Sequence, residues 1–417
     1  MLNYLDLFAG AGGLSEGFAR VGYRPLAHIE MDEAACFTLK TRLAFNYLKN
    51  NQKDSIYNCY LKGEIDRQFL YSKVPEQLLN SVLNYEISVR NLSRIFGEVD
   101  NRLEGQHLDL IIGGPPCQAY SLVGRARDEN SMTGDKRNYL YVLYAEFLKR
   151  YRPKYFVFEN VIGLLSAKDI DGKLHFIKMQ DLFSSIGYSI EYDVLNAKDY
   201  GVLQNRKRII LIGKLGNHSK FYPNIPKGHF DCLVREIFTD LPKVKSGEGE
   251  WFAVKTSHYY GEYLYAAGIK SYDRESVTQQ CSRPNTEQDL EIYNRVVMSW
   301  NKERKRLRYN DLPDRLRSQK NITSFCDRFK VVADNLPYSQ TVVAHMSKDG
   351  HYFIHPDINQ NRSLTPREAA RLQTFPDNYY FESVSGKPSR TAAYRQIGNA
   401  VPVLLAEKIA KTLLEVW

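Results

Sequence analysis

A cysteine closing an apolar run, on a turn stiffened by two prolines, is placed as a nucleophile would be. Gly113-Gly114-Pro115-Pro116-Cys117-Gln118 follows the strand pattern of residues 108–112 in this way. Taken alone, Cys117 reads equally well as a buried structural thiol. Glu159-Asn160-Val161 closes another apolar strand, which brings its carboxylate to the strand's carboxyl end, where open α/β sheets bind ligands; a helix cap is its plainer reading. Gln204-Asn205-Arg206-Lys207-Arg208 offers guanidinium forks shaped for a carbonyl oxygen or a phosphate. Asp6-Leu7-Phe8-Ala9-Gly10-Ala11-Gly12-Gly13 sets glycines between a strand and a helix, and Glu30 ends the next strand, suited to ribose hydroxyls. The loop lacks strict dinucleotide spacing, so a nucleoside cofactor other than NAD fits, with Phe8 free to stack on adenine.

Positioning these groups requires a sheet. Short apolar strands are predicted at residues 4–7, 25–30, 108–112, 155–159, 189–195 and 208–212, and helical spacing at Leu14, Phe18 and Val21 and over 139–148 and 176–186. Strands alternating with helices predict an α/β domain whose mainly parallel sheet is covered on both faces. Residues 46–106 read as a mostly helical insertion. Periodicity fades over 221–360, where prolines, tyrosines and basic residues dominate. Regular structure resumes at 366–373, and a final apolar helix is expected over 403–416. Arg371-Leu372-Gln373-Thr374-Phe375-Pro376 and Gln396-Ile397-Gly398-Asn399-Ala400-Val401-Pro402 read as ordered turns without an assigned role.

Composition narrows the partners. With 43% hydrophobic residues in 417, the chain can bury one large core or two smaller ones. No apolar run is long enough to span a bilayer and the start lacks a signal-peptide pattern, so a cytoplasmic protein is expected. The six cysteines are scattered without zinc or disulfide spacing, so no metal is expected. A net charge of +9 favours a polyanion such as nucleic acid. The basic run over 301–320 is read either as a solvated face or as a DNA-facing one.

Taken together and in order, these motifs resemble those of bacterial DNA (cytosine-5)-methyltransferases of the type II restriction-modification kind. Asp6-Leu7-Phe8-Ala9-Gly10, Pro115-Pro116-Cys117-Gln118, Glu159-Asn160-Val161, Gln204-x-Arg206-x-Arg208, Arg371-Leu372-Gln373-x-Phe375-Pro376 and Gly398-Asn399-Ala400-Val401 span nearly the whole chain. The resemblance implies a Rossmann-like S-adenosylmethionine-dependent methyltransferase fold with a smaller, irregular target-recognition domain. It implies a catalytic part over 1–228, a recognition part over 229–390 and a return over 391–417.

By the same resemblance the cofactor is S-adenosyl-L-methionine, held by Asp6, Phe8, Ala9, Gly10, Gly12, Gly13, Leu14, Glu30, Met31, Pro115, Leu140, Asn399, Ala400 and Val401. An acidic adenine contact is expected after the third strand, with Glu64 and Glu98 as candidates. Cys117 is implied as nucleophile, Glu159 at cytosine N3, Arg208 at the base carbonyl and Arg206 as a supporting catalytic group. Gln118, Ser121, Asn160, Gln204 and Thr341 are implied in substrate binding, and residues 121–137 as the active-site loop. The implied partner is double-stranded DNA, with a monomeric enzyme protecting host DNA from a cognate endonuclease without a stable complex. The alternatives are a transfer-RNA cytosine-5 methyltransferase, which has a shorter recognition region, and a catalytically silent DNA-binding protein. A nicotinamide dehydrogenase is disfavoured by the loop spacing and by Pro115-Pro116-Cys117.

Overall fold

A computed structural model describes residues 1–116, 139–318 and 322–417. In chain order its first elements are β1 (Asn3–Leu7), α1 (Gly13–Arg20), β2 (Arg24–Glu30), α2 (Glu33–Asn50), α3 (Asp54–Leu61), α4 (Arg67–Tyr71), α5 (Glu76–Leu79), β3 (Val82–Asn84), α6 (Leu92–Leu103) and β4 (Leu110–Gly113). A helix over Leu140–Tyr151 leads to β5 (Tyr155–Asn160), and a helix over His175–Ser185 to β6 (Tyr188–Asn196) and β7 (Lys207–Leu215).

These strands form one sheet in the order β3-β2-β1-β4-β5-β7-β6, parallel from β3 to β5. The α/β class with a mainly parallel sheet is as the alternation predicts. β7 runs antiparallel to both β5 and β6.

Alternation along each strand divides the core. Leu5, Leu7, Ile111, Phe156, Phe158, Ile209 and Leu211 pack into one buried cluster, while Tyr4, Leu110, Ile112, Tyr155, Val157, Ile210 and Ile212 join a second, larger one on the other face. The larger cluster takes in the helices Pro366–Leu372, Arg390–Asn399 and Val403–Glu415. The last of these presses on α1, where a Cβ on Gly17 would lie 2.5 Å from Ala406 Cβ.

Three elements depart from the sequence reading, one of them the helix Arg390–Asn399, whose final residues, 396–399, read as a turn in the sequence. The stretch expected as a helical insertion contains β3, three residues too short to show a period. The section where periodicity fades holds a helix over Glu287–Glu303, started by a capping box between Thr286 and Asp289. Ile292, Tyr293, Val296 and Val297 of that helix build a small separate core with Tyr309, Phe329 and Ile354.

Candidate active site

The direction of β7 creates the site. Because β7 opposes β5, its amino end lies where β5 stops, with Glu159 opposite Ile210 and Asn160 opposite Ile209. Paired residues share a face and so do residues two apart on a strand, so Arg208 stands diagonally beside Glu159. Arg208 Nε lies 2.7 Å from Glu159 Oε1, and the two side chains are 13% and 15% exposed. Planar donors and a carboxylate thus sit at the carboxyl edge of the parallel strands.

The turn leading to the cysteine touches the same pair. Asn160 Nδ2 donates to Pro115 O at 3.3 Å, and Asn160 Oδ1 accepts from Val161 N. A Cβ on Gly114 would lie 2.7 Å from Glu159 Oε2, so glycine lets the carboxylate rest against this backbone. Cys117, Gln118, Ser121 and the loop 121–137 lie outside the described residues.

Across the sheet, at the end of β1, the glycine loop is tied to β2 by Glu30. Its Oε2 accepts from Gly10 N at 2.7 Å, and its Oε1 from Met31 N and Asp32 N. Burial raises the Glu30 pKa, with the Asp32 and Gly10 amides pulling the other way. Asp6, 1% exposed, has an Oδ2 with no hydrogen-bond partner among the described residues, and burial followed by the Glu30 charge pushes its pKa well up. Above the loop, a Cβ on Gly10 would meet nothing within 4 Å. Phe8 holds a left-handed φ of 57° and is half-buried beside it. An open cradle, an aromatic ring and two carboxylates, one oxygen of which lacks a donor, fit a nucleoside carrying positive charge.

The remaining expected cofactor residues gather unevenly. Gly13 abuts the C-terminal return, its absent Cβ leaving room for Val401 O at 2.4 Å, with Ala400 beside it. Ala9, half-buried, is in the loop, and Leu14 is buried at the start of α1. Pro115 is buried, Leu140 opens its helix half-buried, Asn399 is exposed, and Met31 is 64% exposed.

The whole chain, over residues 2–67 and 53–415, matches the family described as C-5 cytosine-specific DNA methylase. The chain belongs to this family. It is 39% identical to the type II methyltransferase M.Bpa9945I of Bacillus paralicheniformis, across 99% of this chain and 98% of that one. It is 31% identical to M.DdeI of Desulfomicrobium norvegicum, across 99% and 88%. Among solved structures, it shares the fold of a prophage-encoded DNA modification methyltransferase candidate from E. coli (TM-score 0.63, 22% identity, covering 100% of this chain and 99% of that one).

In this DNA (cytosine-5)-methyltransferase, Arg206 and Gln204 are struts. Arg206, 1% exposed, donates to Val342 O at 2.6 Å, Ala400 O at 2.8 Å and Gly398 O at 3.3 Å. It does not face the edge where Arg208 emerges. Gln204, fully buried, donates to Leu372 O and Gln373 Oε1 and accepts from Val342 N, which keeps its amide from a substrate. Thr341 Oγ1 donates to Asn205 O at 2.5 Å. Arg371, without an assigned role in the sequence, is a buried bridge between Asp240 and Asp377.

Neither acidic candidate lies at the carboxyl edge. Glu64 follows α3 beside Lys62. Glu98 pairs with Arg102, which reaches Asn80 O at the amino end of β3. Glu30 pairs with Asn84 in the sheet, so Glu86, exposed two residues later, is the acidic group past that edge. Finding it from sequence required locating β3. Among the described residues no cluster of potential metal ligands occurs, and no helix is long and apolar enough to cross a membrane.

Proposed function

We propose that this methyltransferase transfers the methyl group of S-adenosylmethionine to carbon 5 of a cytosine swung out of duplex DNA, within one short base sequence. The observation that carries the reading is the Glu159–Arg208 pair at the strand edge, joined through Asn160 to the Pro115 turn that leads to Cys117.

Carbon 5 of cytosine is too electron-poor to attack a sulfonium unaided. Cys117, as thiolate, adds to carbon 6 and turns the ring into an enamine-like nucleophile. Glu159 binds the N3 edge and Arg208 the carbonyl oxygen, stabilising the charge that develops on the ring. Loss of the carbon-5 proton later returns electrons to the ring, and the carbon-6 to sulfur bond breaks with the thiolate leaving. The base leaves the stack at a cost of a few kcal/mol.

Asp6, Phe8, Gly10, Glu30 and the Ala400–Val401 turn would hold the cofactor, with Glu86 at the adenine. S-adenosylmethionine bound there supplies the methyl group as an electrophile. Arg206 and Gln204 act as positioning residues. Ile292, Tyr293, Val296, Val297, Tyr309, Phe329 and Ile354 form the core of the recognition unit, with part of the basic run 301–318 facing DNA. The names of the similar type II methyltransferases fit a role in a restriction-modification system, in which the enzyme protects host DNA from a cognate endonuclease.

The test is incubation with labelled S-adenosylmethionine and unmethylated genomic DNA, read by base-resolution sequencing, for wild type and Cys117→Ala. Carbon-5 label within one motif, lost in the variant, supports the proposal. Label on transfer RNA, or cofactor binding without transfer, sinks it.

A further inference from the structure

Beside the catalytic strand, the recognition section encloses a hollow of about 180 Å³. Its lining includes Asn205, Trp300, Arg306, Phe329, Tyr338 and Gln340. The hollow is too large for one water, whose share of the liquid is about 30 Å³, and three of these six side chains are aromatic.

The walls are held in place. Trp300 Nε1 donates to Asn335 Oδ1 at 3.1 Å, Phe329 is 5% exposed within the small core, and Gln340 Nε2 donates to Tyr352 O at 2.8 Å. Tyr338 is 37% exposed, with the Lys198 ammonium 4.5 Å from its ring centroid. Lys198 lines the neighbouring cleft with Lys207 and Asn205, so Tyr338 stands between two hollows. Arg306, 59% exposed, stands at the lining with Asp327 3.8 Å away. Fixed aromatic walls beside solvent-facing cations suit a flat ring attached to a phosphodiester chain.

Position relative to the reaction narrows the ligand. Asn205 precedes Arg208 by three residues, which span at most about 11 Å of chain. Stacked bases rise about 3.4 Å per step along a strand, so the Asn205 wall of the hollow lies within roughly three steps of a cytosine held at Arg208.

We propose that this hollow receives a second base of the substrate duplex, unstacked and lying against Tyr338 within about three steps of the methylated cytosine. The inference rests on the cytosine-methylating reading above. Wild-type methylation of duplex DNA is therefore measured first, so that failure of that reading is seen separately.

Once the methylated sequence is known, duplexes carrying one abasic position at each of the three steps on either side of the target, in either strand, are titrated. Wild type, Tyr338→Ala and Tyr338→Phe are compared; Tyr338 lies outside the buried cores, so these variants fold. One abasic position is expected to weaken wild-type binding about ten-fold or more. Tyr338→Ala should lose a similar factor on the intact duplex and nothing further on that abasic one, and Tyr338→Phe should behave as wild type. Uniform weakening of every duplex by Tyr338→Ala, with all abasic losses unchanged, means that the wall meets only backbone and overturns the proposal. So does a wild type indifferent to every abasic position.

Discussion

Arg208 Nε and Glu159 Oε1 stand 2.7 Å apart on neighbouring antiparallel strands, each satisfying the other before any base is present. A cytosine presenting N3 and its carbonyl oxygen must come between them or slide along their edge. The two side chains therefore act as one unit, and removing either leaves the other misdirected.

Loss of either partner should accordingly cost nearly the same as loss of both. Glu159→Gln and Arg208→Ala are each expected to lower the single-turnover methylation rate by about 10²-fold or more, and the double variant by little beyond the larger single effect. Arg208→Lys should not rescue, because an ammonium lacks the planar fork. Independent, multiplying losses would show that the pair does not work as a unit.

Arg206 gives a different signature from Arg208, two residues away. Its guanidinium joins Val342 to Ala400, which lies beside Gly13 of the glycine loop. Arg206→Ala leaves buried carbonyls without donors and should destabilise the protein by about 2–4 kcal/mol, lowering the melting temperature. Cofactor affinity should fall with it, since Ala400 and Val401 press on Gly13. In surviving folded enzyme the methyl-transfer step should change far less than in Arg208→Ala. A large chemical-step loss with unchanged melting would place Arg206 at the substrate instead.

That contrast also marks where the sequence stops being informative. The α/β class was legible because β1, β2, β4, β5 and β7 are apolar runs buried on both faces, a pattern local to each segment. The direction of β7 was not, because an antiparallel strand carries the same apolar run as a parallel one, and the diagonal meeting of Glu159 with Arg208 depends on it. Arg206 and Gln204 lie in a polar stretch that reads as surface, yet both are buried by contacts more than a hundred residues away. Glu86 was hidden because β3 pairs over only three residues.

Asp6 should trade stability for binding. Burial and then Glu30 raise its pKa, so the folded protein holds a proton there that the unfolded chain releases. Its contribution to stability is full at low pH and is lost as pH rises through the raised value. Asp6→Asn, which removes the buried titration, is expected to make the ligand-free protein more stable near neutral pH by thermal melting. The same variant should bind S-adenosylmethionine more weakly by calorimetry, and wild-type affinity for this cation should increase with pH while the variant's stays flat. Equal affinity in the two proteins would separate Asp6 from the cofactor.

Acid should undo the scaffold around Glu368. Arg362 grips Glu368 with two hydrogen bonds of 2.8 and 2.6 Å, and Thr365 N adds a third. Burial alone would raise the Glu368 pKa, but Arg362 and His355 outweigh it and hold the group at about 2. A carboxyl lowered in the folded state from 4.5 gives stability that is complete above that value and lost as pH falls towards 2. His355 adds to this slope, because burial, then Arg362, lower it from 6.5 to about 3, so the unfolded chain takes up its proton first. Melting temperature should therefore decline from about pH 6.5 downward and most steeply below 4.5. Glu368→Gln should melt lower at neutral pH, since it leaves the buried Arg362 without its counter-charge, and should lose less on further acidification. A wild-type melting temperature unchanged between pH 6.5 and 3 would rule this cluster out as the acid-sensitive part of the fold.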